Sequence, residues 1–246
     1  MDNKRWCLLT SHGTTTSAET NYAQAEITTL NHHAYAARWG LYHISICRPF
    51  FEQAWGFMED ITRLLSCFDY VFTIGADVVI TNPEIDLRTF AVPGVDVRVA
   101  CAEVPELPPH NINCDAILYR NCDAARDFLQ AWRATEPKYA GSFCNVQKGF
   151  LELMRSGKYA VDVAPPRVMQ SHPIINRCTC WQPGDFACHF VYGGEQKVRL
   201  LLEAFCNKRI VLWEEHDPKV AHPPRLSAFN VLPPREDYTV WICQPG

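Results

Sequence analysis

The 246 residues carry 23 Lys and Arg against 27 Asp and Glu, a formal net charge of −4, which gives no general pull toward nucleic acid or an anionic membrane. An aromatic content of 12% and a charged content of 20% describe a globular chain and exclude a disordered one. A chain of this length buries a substantial core, as one large domain or two closely packed lobes, and no apolar run reaches the roughly 18 residues of a membrane span.

The first residues are polar and lead into a short strand, which is not the pattern of a signal peptide. A cytoplasmic location is expected. In a reducing compartment Cys7, Cys47, Cys67, Cys101 and Cys206, each alone in an apolar element, read as small buried hydrophobes. Cys178-Thr179-Cys180 is spaced too tightly for an ordinary zinc knuckle.

Residues 6–10 read as the first strand and Ser11-His12-Gly13 as the turn that leaves it. A polar, glycine-containing loop after the first strand of an α/β chain is where a nucleotide often sits. There is no GxGxxG and no Walker lysine loop to make that a dinucleotide or P-loop site. Residues 17–39 are helical by composition, with Gly40 as the stop. His32 and His33 lie in this helix and read as ordinary helix or surface residues. Residues 41–47 form a second strand. Residues 51–67 form a helix with Trp55, Met58, Ile61, Leu64 and Leu65 on one face.

The stretch that organises the chain comes next. Residues 70–74 are β-branched and aromatic and read as a buried strand. It breaks at Gly75-Ala76-Asp77, resumes at residues 78–80, and turns at Asn82-Pro83. The order so far is βαβαβ, which implies a parallel sheet covered by helices. Asp77, at the end of a buried strand, needs a partner. Either it caps a turn or it meets a divalent cation at the carboxyl edge of the sheet.

Residues 96–102 are another strand. Residues 111–120 are a polar turn feeding a strand. Residues 123–135 form an amphipathic helix with Ala124, Phe128, Leu129 and Trp132 on one face. A helix over 145–156, a short strand over 161–164, a loop-rich stretch over 169–183, a short strand within 184–194 and a helix over 195–207 follow. From His216 onward Pro218, Pro223, Pro224, Pro233 and Pro234 leave room for an extended strap rather than regular structure.

Four segments are similar to a known family: Asn31 to Leu41; Ile74-Gly75-Ala76-Asp77-Val78-Val79-Ile80-Thr81-Asn82-Pro83; Asn111 to Asn121 with Phe128-Leu129-Gln130-Ala131-Trp132; and Gly184-Asp185-Phe186-Ala187-Cys188-His189-Phe190. Together, over roughly residues 6–206, they resemble GT-A fold glycosyltransferases, and more narrowly the retaining galactosyl-, mannosyl- and xylosyltransferases of yeast mannan and plant xyloglucan. The resemblance implies a single α/β domain over 1–215 with a mixed, mostly parallel central sheet flanked by helices. The nucleotide-binding half would span about 1–103 and the acceptor half about 104–215, with the proline-rich tail, 216–246, packed on the domain.

It also implies a nucleotide-sugar donor, UDP-linked or GDP-linked. The acceptor would be a glycan, glycoprotein or other hydroxyl-bearing molecule, and the divalent ion Mn²⁺ or Mg²⁺. Asp77 and His189 would hold the metal. Thr10, Ser11, His12, Gly75, Ala76, Asn113, Gly194 and Lys197 would line the donor site. Asp115 would contact the donor sugar or the acceptor, Gln147 would face the reacting sugar or be a solvated helix residue, and Asp185 would orient His189 or the acceptor or else serve a turn. The family's first motif aspartate falls on Gly75, which leaves open a looser metal site, a metal bridged by Asp77, His189 and the diphosphate, or a donor held without metal. Two other classes stay open: a metal-dependent nucleotidyltransferase or nucleotide-sugar hydrolase, and a non-catalytic nucleotide-sugar or glycan-binding module.

Overall fold

The first half of the opening strand, residues 6–9, is buried on both faces, which is why its sequence is apolar there rather than alternating. Cys7 and Leu9 lie in one core cluster and Trp6 and Leu8 in another, as a side-chain period of two requires. The computed structural model describes residues 4–14, 18–102, 112–140, 145–172, 180–190 and 239–243.

Strand β1 (Trp6–Thr14) lies between β2 (Tyr42–Pro49) and β3 (Tyr70–Gly75), parallel to both. Helix α1 (Ala18–Trp39) connects β1 to β2, and α2 (Phe50–Leu64) connects β2 back across to β3. β4 (Val78–Ile80) leaves the main sheet. β5 (Val97–Cys101) and β6 (Ile112–Arg120) extend it beyond β3, β7 (Val161–Val163) adds to β5, and β9 (Thr239–Cys243) adds to β2. The order is β7-β5-β6-β3-β1-β2-β9. β6 and β9 run against the other five strands, so the sheet is mixed and mostly parallel. Of the tail expected as a strap after His216, residues 239–243 form β9, an edge strand antiparallel to β2; the rest of it, and the helix expected over 195–207, lie outside the described residues.

One face of the sheet packs on α2, on α3 (Asp123–Arg133) and on α5 (Asn145–Arg155) through Trp55, Met58, Phe128, Trp132 and Phe150. The other face packs on α1 through Tyr35 and Ala36, and on Phe90 and Phe186. In α3 the buried alanine is Ala125 and not the expected Ala124. Phe128, Leu129 and Trp132 follow Ala125 at i+3, i+4 and i+7 and define the stripe. Helix α4 (Glu136–Tyr139) is a single turn between α3 and α5.

Gly40 ends α1 at φ 62°. Its N–H donates to Ala37 and that of Leu41 donates to Ala36, the paired bonds of a Schellman stop. The chain thereby enters β2 at once, which fixes the register of His43 beside Leu8. No helix among the described residues is long and apolar enough to cross a membrane.

Because α1 carries the chain to one side of β1 and α2 brings it back to the other, the direction of winding reverses between β1 and β3. Ligands of open α/β sheets bind beyond the carboxyl ends of the strands at such a switch point. Here β3 ends at Gly75, whose register partner Ser11 is the last residue of β1 paired with β3.

Candidate metal and donor site

Three elements converge on this edge. β3 stops at Gly75, and Ala76 and Asp77 turn the chain out of the main sheet into β4. β4 pairs antiparallel with β8 (Ala187–His189) in a separate two-stranded sheet, with Val78 opposite His189. The pairing continues in a bond from the Phe190 N–H to the Asp77 carbonyl, 2.8 Å. This register is what places His189 beside Asp77 across 112 positions of sequence.

The third element is β6. Ile74 is paired with Ala116, so the next residues along, Gly75 and Asp115, adjoin. On its other side β6 slips against β5: Val99 pairs with Ile117, and Ala100 pairs with Asn113. Cys114, Asp115 and Ala116 therefore stand against the single step of β5 between Val99 and Ala100. A bulge of this kind re-aims side chains, and it carries Asp115 to the corner where Asp77 stands.

His189 Nε2 lies 3.3 Å from Asp77 Oδ2 and 3.5 Å from Asp115 Oδ2. One ligand atom from each of the three residues lies within 4.8 Å of the others. The imidazole is buried and the carboxylates are partly exposed. Asn113 holds the ring from behind. Its Oδ1 accepts the Asp115 N–H at 2.7 Å, and its Nδ2 stands 2.9 Å from His189 Nδ1. A backbone N–H demands the oxygen end of the amide, so the amide nitrogen donates to Nδ1 and the ring proton sits on Nε2, between two carboxylates. Oxygen and imidazole donors around an open corner suit a hard or borderline divalent ion, and the residues present fit one. His189 Nε2, Asp77 and Asp115 would hold such an ion, with the Nε2 proton released.

A layer of polar groups under this corner was not legible as such. Thr28, Asn31 and His32 share a face of α1 and hold the backbone around Asp77. The Thr28 hydroxyl donates to Ala76 O at 2.9 Å, and His32 Nε2 to Val78 O at 2.8 Å. The Asn31 amide donates to Ile80 O at 3.0 Å and accepts from Ile80 N at 2.8 Å. His32, expected as an ordinary helix or surface residue, is fully buried. Since a carbonyl only accepts, Nε2 of neutral His32 carries its proton. Its Nδ1 then accepts from Thr10 Oγ1 at 2.8 Å, and Thr10 accepts from His43 Nε2 at 2.9 Å. Burial, followed by the nearby His32 and His33 rings, holds His43 well below the ordinary histidine pKa of 6.5.

The remaining residues named from the sequence fall as follows. Thr10 is buried, its hydroxyl spent between His32 and His43. Ser11 Oγ is buried with no hydrogen-bond partner among the described residues. His12 lies on β1 opposite Cys47. Gln147 donates its amide to the Ile112 carbonyl at the start of β6. Asp185 is buried and accepts from Arg167 Nε and Nη2, the latter at 2.6 Å, and from Gln182 N at 2.8 Å. That carboxylate fixes the turn into β8. Gly194 and Lys197 lie outside the described residues.

No protein-family model matches the sequence, and no curated protein matches it. Solved structures do. A glycosyltransferase involved in the glycosylation of the major capsid of PBCV-1 superposes with a TM-score of 0.60 at 12% identity, over 80% of this chain and 99% of that one. The galactosyltransferase LgtC, bound to donor and acceptor sugar analogs, gives 0.51 at 10% identity, over 85% and 98%. GlyE of Streptococcus pneumoniae TIGR4 gives 0.52 at 11% identity, over 85% of this chain and 62% of that one. The chain has the GT-A fold that these glycosyltransferases share.

Proposed function

We propose that the protein is a glycosyltransferase that moves a hexose or pentose from a nucleotide sugar to a hydroxyl acceptor, with retention at the anomeric carbon. UDP-sugars are the first donors to test and GDP-sugars the second. The acceptor is a glycan, a glycoprotein or another hydroxyl-bearing molecule. The observation that carries this reading is the meeting of Asp77, Asp115 and His189 at the switch point of a GT-A sheet.

Sugar transfer leaves a nucleoside diphosphate, and negative charge grows on it as the glycosidic bond breaks. A Mn²⁺ or Mg²⁺ ion bound at the cluster would neutralise that charge. The chain's own residues prepare the site. Asp77 and Asp115 present oxygens toward the corner, and Asn113 keeps the His189 ring turned so that Nε2 faces them. Ser11, register partner of Gly75, offers an unspent hydroxyl at the edge where the nucleoside would lie. Front-face attack, with the leaving phosphate taking the acceptor proton, needs no protein nucleophile, and none is assigned.

The full chain is incubated with a panel of nucleotide sugars, with Mn²⁺ or with EDTA, and release of UDP or GDP is followed. Release that rises with an added acceptor, and falls at least about 100-fold in Asp77→Asn, is the expected outcome. Release unaffected by any acceptor points instead to a nucleotide-sugar hydrolase. Tight donor binding with no release points to a binding module.

A further inference from the structure

Gly75 is the residue whose missing side chain makes room for the cluster. A Cβ built there falls 2.8 Å from Asp77 Oδ1, 3.1 Å from Asp115 Cβ and 3.1 Å from Asp115 Oδ1. The first contact is with the end of a side chain that can rotate away. The second is with a Cβ fixed by the backbone of β6, which cannot. Its φ is not in the left-handed region, so Gly75 is not demanded by the turn. What excludes a side chain is the space that Asp115 already fills.

We infer that positions 75 and 115 are two alternative mounts for one carboxylate, and that in this chain β6 supplies the second acidic ligand of the cation site while β3 yields the space. The inference rests on the proposed cation at Asp77 and His189, and it assigns Asp115 to the metal rather than to a sugar. Two structural facts carry it independently of the acidic cluster itself. The ladder between β5 and β6 passes from the Val99–Ile117 pair to the Ala100–Asn113 pair, so a stretch of β6 centred on Asp115 bulges at the step between Val99 and Ala100. The buried His189 ring, oriented by Asn113, puts Nε2 within 3.5 Å of an oxygen of each carboxylate.

The test is direct Mn²⁺ binding to the full chain, read from the electron paramagnetic resonance signal of free Mn²⁺, without substrate. Folding of each variant is checked by circular dichroism. Asp115→Asn keeps the volume and loses the charge, and should weaken Mn²⁺ about 10- to 100-fold. Gly75→Asp should weaken it similarly, by crowding. Gly75→Asp with Asp115→Gly moves the carboxylate from β6 to β3 and should recover affinity to within about fivefold of the native chain, against the additive loss expected of independent sites. Native affinity in Asp115→Asn, with affinity lost in Asp77→Asn, overturns the inference and leaves the metal at Asp77. A folded double variant as weak as either single one also overturns it. A native chain that binds no Mn²⁺ overturns it as well; donor turnover that then persists in EDTA shows that sugar transfer stands without a metal.

Discussion

His32 Nε2 stands 2.8 Å from the carbonyl oxygen of Val78, one residue beyond Asp77. The bond ends a chain that begins at His43 and passes through Thr10 and both nitrogens of His32. It crosses from β2 through β1 and α1 to β4, and every member is buried. His32→Phe keeps the bulk but leaves the Thr10 O–H without its acceptor, its oxygen still accepting from His43, and orphans the Val78 carbonyl. Each lost pairing costs about 1–3 kcal/mol, so urea unfolding should show a loss of about 2–6 kcal/mol by the sum of two. His32→Gln can restore one bond and should recover part of it. Donor turnover per folded molecule should also fall in His32→Phe, because Asp77 hangs from the same strand. Full turnover in a destabilised protein would mean that the strand holds its position without the helix.

The same chain makes stability depend on pH. His43 is held well below the ordinary value of 6.5, by burial first and by its two histidine neighbours second. The unfolded chain therefore takes up a proton near pH 6.5 that the folded chain refuses. The neutral ring's contribution is present in full above that pH and is lost as the pH falls toward the depressed folded value. The limiting slope for one such proton is about 1.4 kcal/mol per pH unit. Urea midpoints measured between pH 7.5 and 5 should fall more steeply for the native chain than for His43→Gln, which has no proton to take up. Parallel curves would remove His43 as the cause.

The strands and helices were legible because their patterns are strong. A buried strand flanked by two others reads as a continuous apolar run, and α2 and α3 each carry an apolar stripe at helical spacing. The Gly75 break was legible as a break, but not as a change of sheet. β4 is three residues long, and only its distant partner β8 reveals where it belongs. His189 was found through the motif around it. Asp115 was placed near the sugars because nothing local announces a bulge: the slip exists only between β5 and β6. The polar face of α1 was missed for a related reason. Thr28, Asn31 and His32 look like a solvated face until β4 is known to lie against them.

The aromatic cluster behind the sheet should affect stability without touching the site. Phe128, Trp132 and Phe150 meet at centroid distances of 4.9–5.9 Å. Trp132 Nε1 also donates to Val146 O at 2.8 Å, joining α3 to α5. Trp132→Ala should cost about 3–5 kcal/mol by cavity formation. Trp132→Phe keeps most of the ring and loses the bond, for about 1–2 kcal/mol. Mn²⁺ affinity of the folded fraction should match the native chain in both. Weakened binding would couple this layer to the cleft through α5, where Gln147 beside Val146 donates to the Ile112 carbonyl at the start of β6.

Asp185 separates a turn-fixing role from a chemical one. Its carboxylate is buried and meets Arg167 through two nitrogens, while also accepting the Gln182 N–H. Arg167 itself holds a left-handed φ of 69°, a conformation unfavourable for a residue with a side chain and sustained here by its partner. Asp185→Ala strands a partly buried guanidinium and a backbone N–H, and should cost about 2–4 kcal/mol, less than a fully buried pair would. Arg167→Ala should cost nearly as much, since it leaves the carboxylate buried and unpaired. If Asp185 only fixes the turn into β8, the two variants lose turnover in proportion to one another, through the placement of His189. If Asp185 touches the reacting sugars, Asp185→Asn abolishes turnover while Arg167→Ala retains it. Steady-state kinetics on the three folded variants, set beside their unfolding curves, decides between these outcomes.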